Sequence, residues 1–338
     1  MRSRKQEIRA AAHVKGYFML DGRAVRNKFT RNMGYIIDGL LRRANVSVYD
    51  EGGASRTFQT GSGGLIYGVS SASTTAENMG PSLFVQFGGG TTPPTVTDNN
   101  LAVAQEVLPT NYIDIVEETS TIRLVVAAKW TPDVDRGYEE VALKLFISPH
   151  DNWATMLSRA VVSPTVARNA YSTYFDGYAL SFPATITKWF VRALMCASVG
   201  QNKRPTRCLP ALDIDESNFV IQSADTFAGA PDVRIGMDNA PSSPSDANLR
   251  APLGSLEGQT QTVEVDTAAQ EVRVVRCGTI APTSDTPLGE IGLFTTVKGY
   301  ANGAATTRTI MVGRIPLPEV QTLYAGATYT ICYVIKLA

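Results

Sequence analysis

Apolar residues recur along this chain at two spacings. Between Asn27 and Ala44 they fall at Phe29, Met33, Ile36, Ile37, Leu40 and Leu41, leaving Arg31, Asp38, Arg42 and Arg43 on the other side, which predicts an amphipathic helix. Thr185 to Val199 repeats the pattern with Ile186, Trp189, Phe190, Ala193, Leu194 and Ala197. Elsewhere the period is two. Short β-rich runs at Ser82–Phe87, Ile122–Trp130, Val141–Ile147, Val263–Val265, Glu271–Arg276 and Thr309–Ile315 are separated by Gly, Pro, Asn and Asp. The last stretch alternates most cleanly, with Tyr329, Ile331, Tyr333, Ile335 and Leu337 on one face. Its counterpart is Tyr174–Phe182, where Asp176 and Gly177 interrupt the pattern and suggest a bulge. No β-helix-β alternation is present, so the pattern implies sandwiches rather than a parallel α/β sheet.

The pattern also occurs twice. Phe87–Leu101 aligns without a gap on Ile235–Leu249, matching Gly88 with Gly236, Pro93 with Pro241, Asp98 with Asp246, Asn100 with Asn248 and Leu101 with Leu249. Downstream Glu140 meets Glu290, Leu143 meets Leu293, Met156 meets Met311 and Arg159 meets Arg314, while upstream Thr30 meets Thr187. The order holds throughout and the offset drifts, as insertions confined to loops would produce. The chain therefore reads as mainly β: two tandem antiparallel β-sandwich domains, 29–184 and 185–338, each preceded by one amphipathic helix and both following an arm, 1–28. Its 338 residues suffice for two cores.

Composition narrows the function. Charged residues make up 18% and the formal net charge is zero, so nothing global points to nucleic acid or acidic substrates. The exception is the arm, with eight positive residues against two negative, among them Arg2, Arg4, Lys5 and Arg9. It is read as a tail that orders on binding a partner, with DNA the less favoured contact because few aromatics interleave the charges. No apolar run reaches bilayer length, and MRSRKQEIRAAAHVKG lacks the apolar stretch of a secretion signal, so a protein kept in a cytoplasm or released by lysis is expected. The four cysteines have no C-x-x-C spacing and only two histidines accompany them, so no zinc site is expected. Buried thiols are the simpler reading and a Cys196–Cys208 bridge the alternative.

Candidate chemistry is sparse. Gly88-Gly89-Gly90 is followed by two prolines rather than Gly-Lys-Ser/Thr, which makes it a tight loop and not a phosphate cradle. Adjacent Glu139 and Glu140 point to opposite faces of a strand and cannot flank one bond. Glu140 and Glu290 are instead expected to open core strands and pair with Arg159 and Arg314, against the reading of unrelated surface charges. Asp133, Asp135, Gly137 and Glu140, and Asp213, Asp215, Ser217 and Asn218, fall short of a calcium loop. No catalytic residue, cofactor or metal is expected. The residues singled out are architectural: Gly88, Pro93, Asp98, Glu140 and Arg159, with Gly236, Pro241, Asp246, Glu290 and Arg314.

The string G-x-G-T-T-x-P-x-x-x-D-x-x-L at Gly88–Leu101, followed by Glu140–Leu143 and Met156–Arg159, and repeated at Gly236–Leu249, Glu290–Phe294 and Met311–Arg314, resembles structural proteins of tailed bacteriophages. That resemblance implies a non-enzymatic virion component of the tail, tail tip, fibre or neck, assembled in the host cytoplasm through contacts with itself and other virion proteins. Capsid decoration is one alternative. A receptor- or glycan-binding fibre module using Trp153, Tyr171 and Tyr300 is another. No membrane partner is implied.

Overall fold

A computed structural model describes residues 6–58, 82–110, 112–147, 153–197, 219–221 and 226–338. The first half contains β1 (Gln6–Leu20), β2 (Arg23–Arg26), β3 (Lys28–Phe29), α1 (Arg31–Arg42), β4 (Val46–Tyr49), β5 (Ser55–Phe58), β6 (Ser82–Gly88), β7 (Ala104–Pro109), β8 (Tyr112–Glu117), β9 (Thr121–Trp130), β10 (Arg136–Ile147), β11 (Trp153–Arg168) and β12 (Tyr174–Pro183). The second contains α2 (Lys188–Ala197), β13 (Val220–Ile221), β14 (Asp232–Gly236), β15 (Pro252–Ser255), β16 (Glu257–Asp266), β17 (Glu271–Ile280), β18 (Thr286–Ala301), β19 (Ala304–Leu323) and β20 (Tyr329–Leu337). The fold is mainly β with two helices among the described residues, as the alternating pattern predicts. No helix of the described residues is long and apolar enough to cross a membrane.

Two outer sheets repeat one another: β3-β11-β10-β6-β7 in the first half and β19-β18-β14-β15, with β13 on β18, in the second. Both pack on one continuous central sheet, ordered β16-β17-β20-β1-β12-β9-β8. That order reads the same from either end, since β16, β17 and β20 are the repeats of β8, β9 and β12. At its middle lies β1. Residues 6–14 pair in parallel with Tyr329–Leu337, and Lys15–Leu20 pair antiparallel with Asp176–Ser181. A two-fold axis normal to the sheet reverses β1 while exchanging its neighbours, so one partner must be parallel and the other antiparallel.

The basic arm is thereby corrected. Residues 6–20 are the central strand, because Ala10, Ala12, Val14, Phe18 and Leu20 all face the core while Arg9, His13 and Lys15 point outward. Arg9 donates to Glu7 and Glu264 on its own sheet. Arg2, Arg4 and Lys5 lie outside the described residues.

The independence of the two sandwiches is corrected as well. Helix α1 leaves the first outer sheet and packs on β16 and β17 of the second half, where Gln261 Nε2 donates to Asp38 Oδ1 at 2.7 Å. A Cβ on Gly34 would come within 2.5 Å of Val272 Cγ1, so only glycine lets the helix sit this close. Reciprocally, α2 packs on β8 and β9 of the first half, and Arg192 donates to Glu117 at 2.7 Å. Each repeat's helix thus covers the other repeat's share of the central sheet, and one apolar core spans both.

Both helices start on the same scaffold. Thr30 donates its hydroxyl to Met156 O and its N–H to Leu157 O, while Thr187 donates its hydroxyl to Met311 O and its N–H to Val312 O. These bonds tie each helix to its own outer sheet; Thr30 makes no side-chain cap bond, whereas the Thr187 hydroxyl also accepts the Phe190 N–H at 3.3 Å. Both helices begin later than the apolar spacing suggests, because Lys28–Phe29 pairs with β11 before α1 and Ile186 bridges to Gly313 before α2.

Two further expectations change. Register runs unbroken through Asp176 and Gly177, so β12 carries no bulge there. Gly177 fits against Val126 O and Ala127, and the buried Asp176 carboxylate accepts from Arg168 and Trp130. Cys277 and Cys332 are disulfide-bonded, because the antiparallel register of β17 and β20 sets them opposite one another. Cys196 is buried in α2 and Cys208 lies outside the described residues.

If sheet and helices are shared in this way, residues 1–184 and 185–338 expressed separately should lack cooperative thermal unfolding, and co-expression should restore a one-to-one complex with a single transition. Circular dichroism melts and light scattering check this; two halves that each melt cooperatively as monomers would show that the sharing is dispensable.

Candidate functional site

The residues repeated between the halves converge on two buried charge clusters. In the first, β10 supplies Glu140, β11 supplies Arg159 and the loop after β6 supplies Asp98. Arg159 Nη2 lies 2.8 Å from Glu140 Oε2, its Nε 3.0 Å from the same oxygen, and its Nη1 2.8 Å from Asp98 Oδ2. Glu140 and Arg159 are 0% and 3% exposed. The carboxylate also accepts backbone N–H groups from Gly90 at 3.0 Å, Val103 at 2.8 Å and Ala102 at 3.2 Å. Burial pushes the Glu140 pKa up, but the Val103 N–H, the Arg159 guanidinium and the Ala102 N–H together hold it below the usual 4.5.

The second cluster is built from the equivalent residues. Arg314 donates Nε to Glu290 Oε2 and Nη1 to Ala240 O at 3.0 Å, with Asp246 Oδ2 at 3.5 Å, and Ala251 N–H donates to Glu290 Oε1 at 3.0 Å. Each aspartate holds the loop by the same bonds. Thr95 N–H donates to Asp98 at 2.9 Å and Ser243 N–H to Asp246 at 2.9 Å. The loops also hold the first residue of each helix: Arg31 N–H donates to Val96 O and Lys188 N–H to Pro244 O, both at 2.8 Å.

Local geometry explains why glycine is retained at the first repeated position. A Cβ on Gly88 would lie 2.7 Å from Glu140 Oε1 and 2.4 Å from Val103 O, and one on Gly236 would lie 2.3 Å from Glu290 Oε1. The strand must pass directly over the carboxylate. Pro241 contributes its carbonyl to Arg314 and Arg250, whereas Pro93 is exposed in its loop. The structure therefore brings together Gly88, Asp98, Glu140 and Arg159, and separately Gly236, Pro241, Asp246, Glu290 and Arg314.

These clusters have little free chemical capacity. Every carboxylate oxygen of Glu140 is engaged by Arg159 or backbone N–H groups, which leaves no lone pair aimed at open space. Asp135 accepts the Ala170 N–H at 2.6 Å in a surface turn and does not converge with Glu140. Among the described residues no group of three or more His, Cys, Asp or Glu is placed to hold a metal. Asp213, Asp215, Ser217 and Asn218 lie outside them. Of the aromatics considered for glycan contact, Tyr171 and Tyr300 are exposed but Trp153 is buried, because β11 turns it into the core. Sequence reasoning missed the buried Arg168–Asp176 pair, whose signal was the acid interrupting an apolar strand.

No family model matches this chain, and no curated protein is similar to it. Among solved structures it is similar to 2'-deoxycytidine 5'-triphosphate deaminase from Agrobacterium tumefaciens, with 8% identity over 76% of this chain and 86% of that chain. The TM-score of 0.12 is too low for that likeness to carry an argument.

Replacing Glu290 by Gln or Arg314 by Met strands a buried partner and should cost about 3–5 kcal/mol, whereas the double replacement should recover part of that loss. Urea midpoints read both; additive losses would show that the two side chains do not act as a pair. Because the folded pKa of Glu140 is depressed, its stabilisation is complete above its ordinary value and is lost as pH falls through the folded one. Glu140→Gln should therefore lower stability at pH 7 and flatten its dependence on pH below about 4.5.

Proposed function

We propose that this chain is a non-enzymatic structural subunit of a tailed-virus particle, a tail, tail-tip, fibre-associated or neck protein, with capsid decoration as the neighbouring assignment. The observation that carries this reading is the double occurrence of the Asp–Arg–Glu cluster. Duplication has preserved a device that sets loop, strand and helix positions and has no group left over for turnover. A catalytic site kept twice would instead retain an accessible nucleophile, base or metal ligand.

The resulting pseudo-dimer fills two related positions of a symmetric assembly with one gene product. Its partners are other virion proteins and further copies of itself, and its location is the virion after assembly in the host cytoplasm. Contact with nucleic acid has less support from Arg9, whose charge is matched by Glu7 and Glu264. Receptor or glycan binding would rest on exposed Tyr171 and Tyr300 without Trp153.

In light scattering across a concentration series, the purified chain should form a closed oligomer, and peptide mass spectrometry of particles from lysed hosts should find it at fixed stoichiometry. A chain that stays monomeric at high concentration and is missing from particles would overturn the proposal.

A further inference from the structure

One buried group belongs to neither charge cluster. Lys144 occupies the middle of β10, where the repeat places Phe294, and its side chain is 0% exposed between Leu143 and Leu145. Two groups from different elements meet its amine. Glu51, in the turn joining β4 to β5, hydrogen-bonds Nζ with its carboxylate and is fixed by its own N–H to Ala154 O at 3.1 Å. Asn100, in the loop before β7, presents Oδ1 at 2.5 Å.

The Asn100 carbonyl also accepts the Leu101 N–H at 2.8 Å, so two donors polarise it. Its amide carbon lies one bond, about 1.2 Å, beyond that oxygen. Burial lowers the Lys144 pKa against the opposing hydrogen bond and charge of Glu51, which raises the share of neutral amine. A buried amine, a polarised primary amide and a carboxylate within reach of the amine are together the components of transamidation.

We propose that Lys144 and Asn100 join in an intramolecular isopeptide bond, with Glu51 carrying the protons. Glu51 takes a proton from the ammonium, and the freed Nζ lone pair attacks Asn100 Cγ, pushing the carbonyl π pair onto Oδ1, where the Leu101 N–H receives the charge. The second proton lost from Nζ also passes through Glu51. One is delivered to Nδ2, the Cγ–Nδ2 bond breaks as the carbonyl re-forms, and the departing ammonia takes the other as ammonium, regenerating the carboxylate. Amine and amide become a secondary amide and ammonia with no oxidant or co-reactant.

The second half supplies an internal control. Asn248 repeats the geometry of Asn100, with Leu249 N–H donating to Oδ1 at 2.9 Å, but Phe294 stands where the amine would be. One bond per chain is therefore expected, clamping the loop to the centre of the first outer sheet. This inference stands apart from any role in a particle.

Intact mass spectrometry of the reduced full-length chain should show a deficit of one ammonia, and a tryptic digest should contain a branched peptide linking Asn100 to an uncleaved Lys144. Lys144→Met, folded by circular dichroism, should regain the full mass. Glu51→Gln should link slower by on the order of 100-fold, the usual contribution of a positioned acid–base group. A wild-type chain of full mass with Lys144 in a linear peptide would overturn the proposal. So would an ammonia deficit that persists in Lys144→Met, which would indicate a succinimide at Asn100–Leu101 instead.

Discussion

A strand of fifteen residues is long enough to be bonded by two neighbours along different parts of its length, and β1 is used in this way. Its first part completes the sheet of the second repeat and its last part completes that of the first. Asp176–Ser181 of β12 and Tyr329–Leu337 of β20 all pair with β1, which covers the edge that each repeat would otherwise present at the seam. The helices follow from this choice. With the two halves of the sheet fused side by side, each helix lies across the seam from its own outer sheet and covers the other repeat's strands.

The buried Glu–Arg pairs act within each outer sheet, where each joins two adjacent strands and a loop, so any shift of register between those strands would leave a charge unpaired in the core. Such pairs add little net stability compared with apolar residues of the same size. Their value is specificity, and this accounts for their retention while surrounding positions diverged. The two clusters are not equally complete. Arg159 places all three guanidinium nitrogens on carboxylates, whereas Nη2 of Arg314 is buried with no hydrogen-bond partner.

The repeat was legible because its matched residues are the ones this packing cannot release: glycine over a carboxylate, aspartate closing a loop, glutamate opposite arginine. Alternation located β9, β10, β12, β17 and β20 for a similar reason, since their inward residues are large. It failed for β1, whose inward residues include Ala10 and Ala12, so that the outward Arg9, His13 and Lys15 dominated the reading and suggested an arm. Exchange of the helices and the Cys277–Cys332 bond were not legible at all. Both depend on which strands become neighbours, a property of the assembled sheet rather than of any local stretch.

The central sheet ends at β8 and β16, and these edges bear on how copies could meet. Unpaired edge strands invite pairing with another chain unless something prevents it. Here β8 carries Asp114 and Glu117, and β16 carries Glu257, Glu264 and Asp266, charged residues of the kind that blunt an edge, with Glu117 and Glu264 held in ion pairs to Arg192 and Arg9. The pairing of β16 with β17 is also irregular between Glu257 and Thr260, where Gly258 has a φ of 54°, and an irregularity of this kind bends the edge away from a flat template. Growth of the sheet from one chain to the next is thus disfavoured at both ends. On the central sheet Tyr112 and Phe175 pack edge to face in partial exposure, and Tyr171 stands free of the core in a loop.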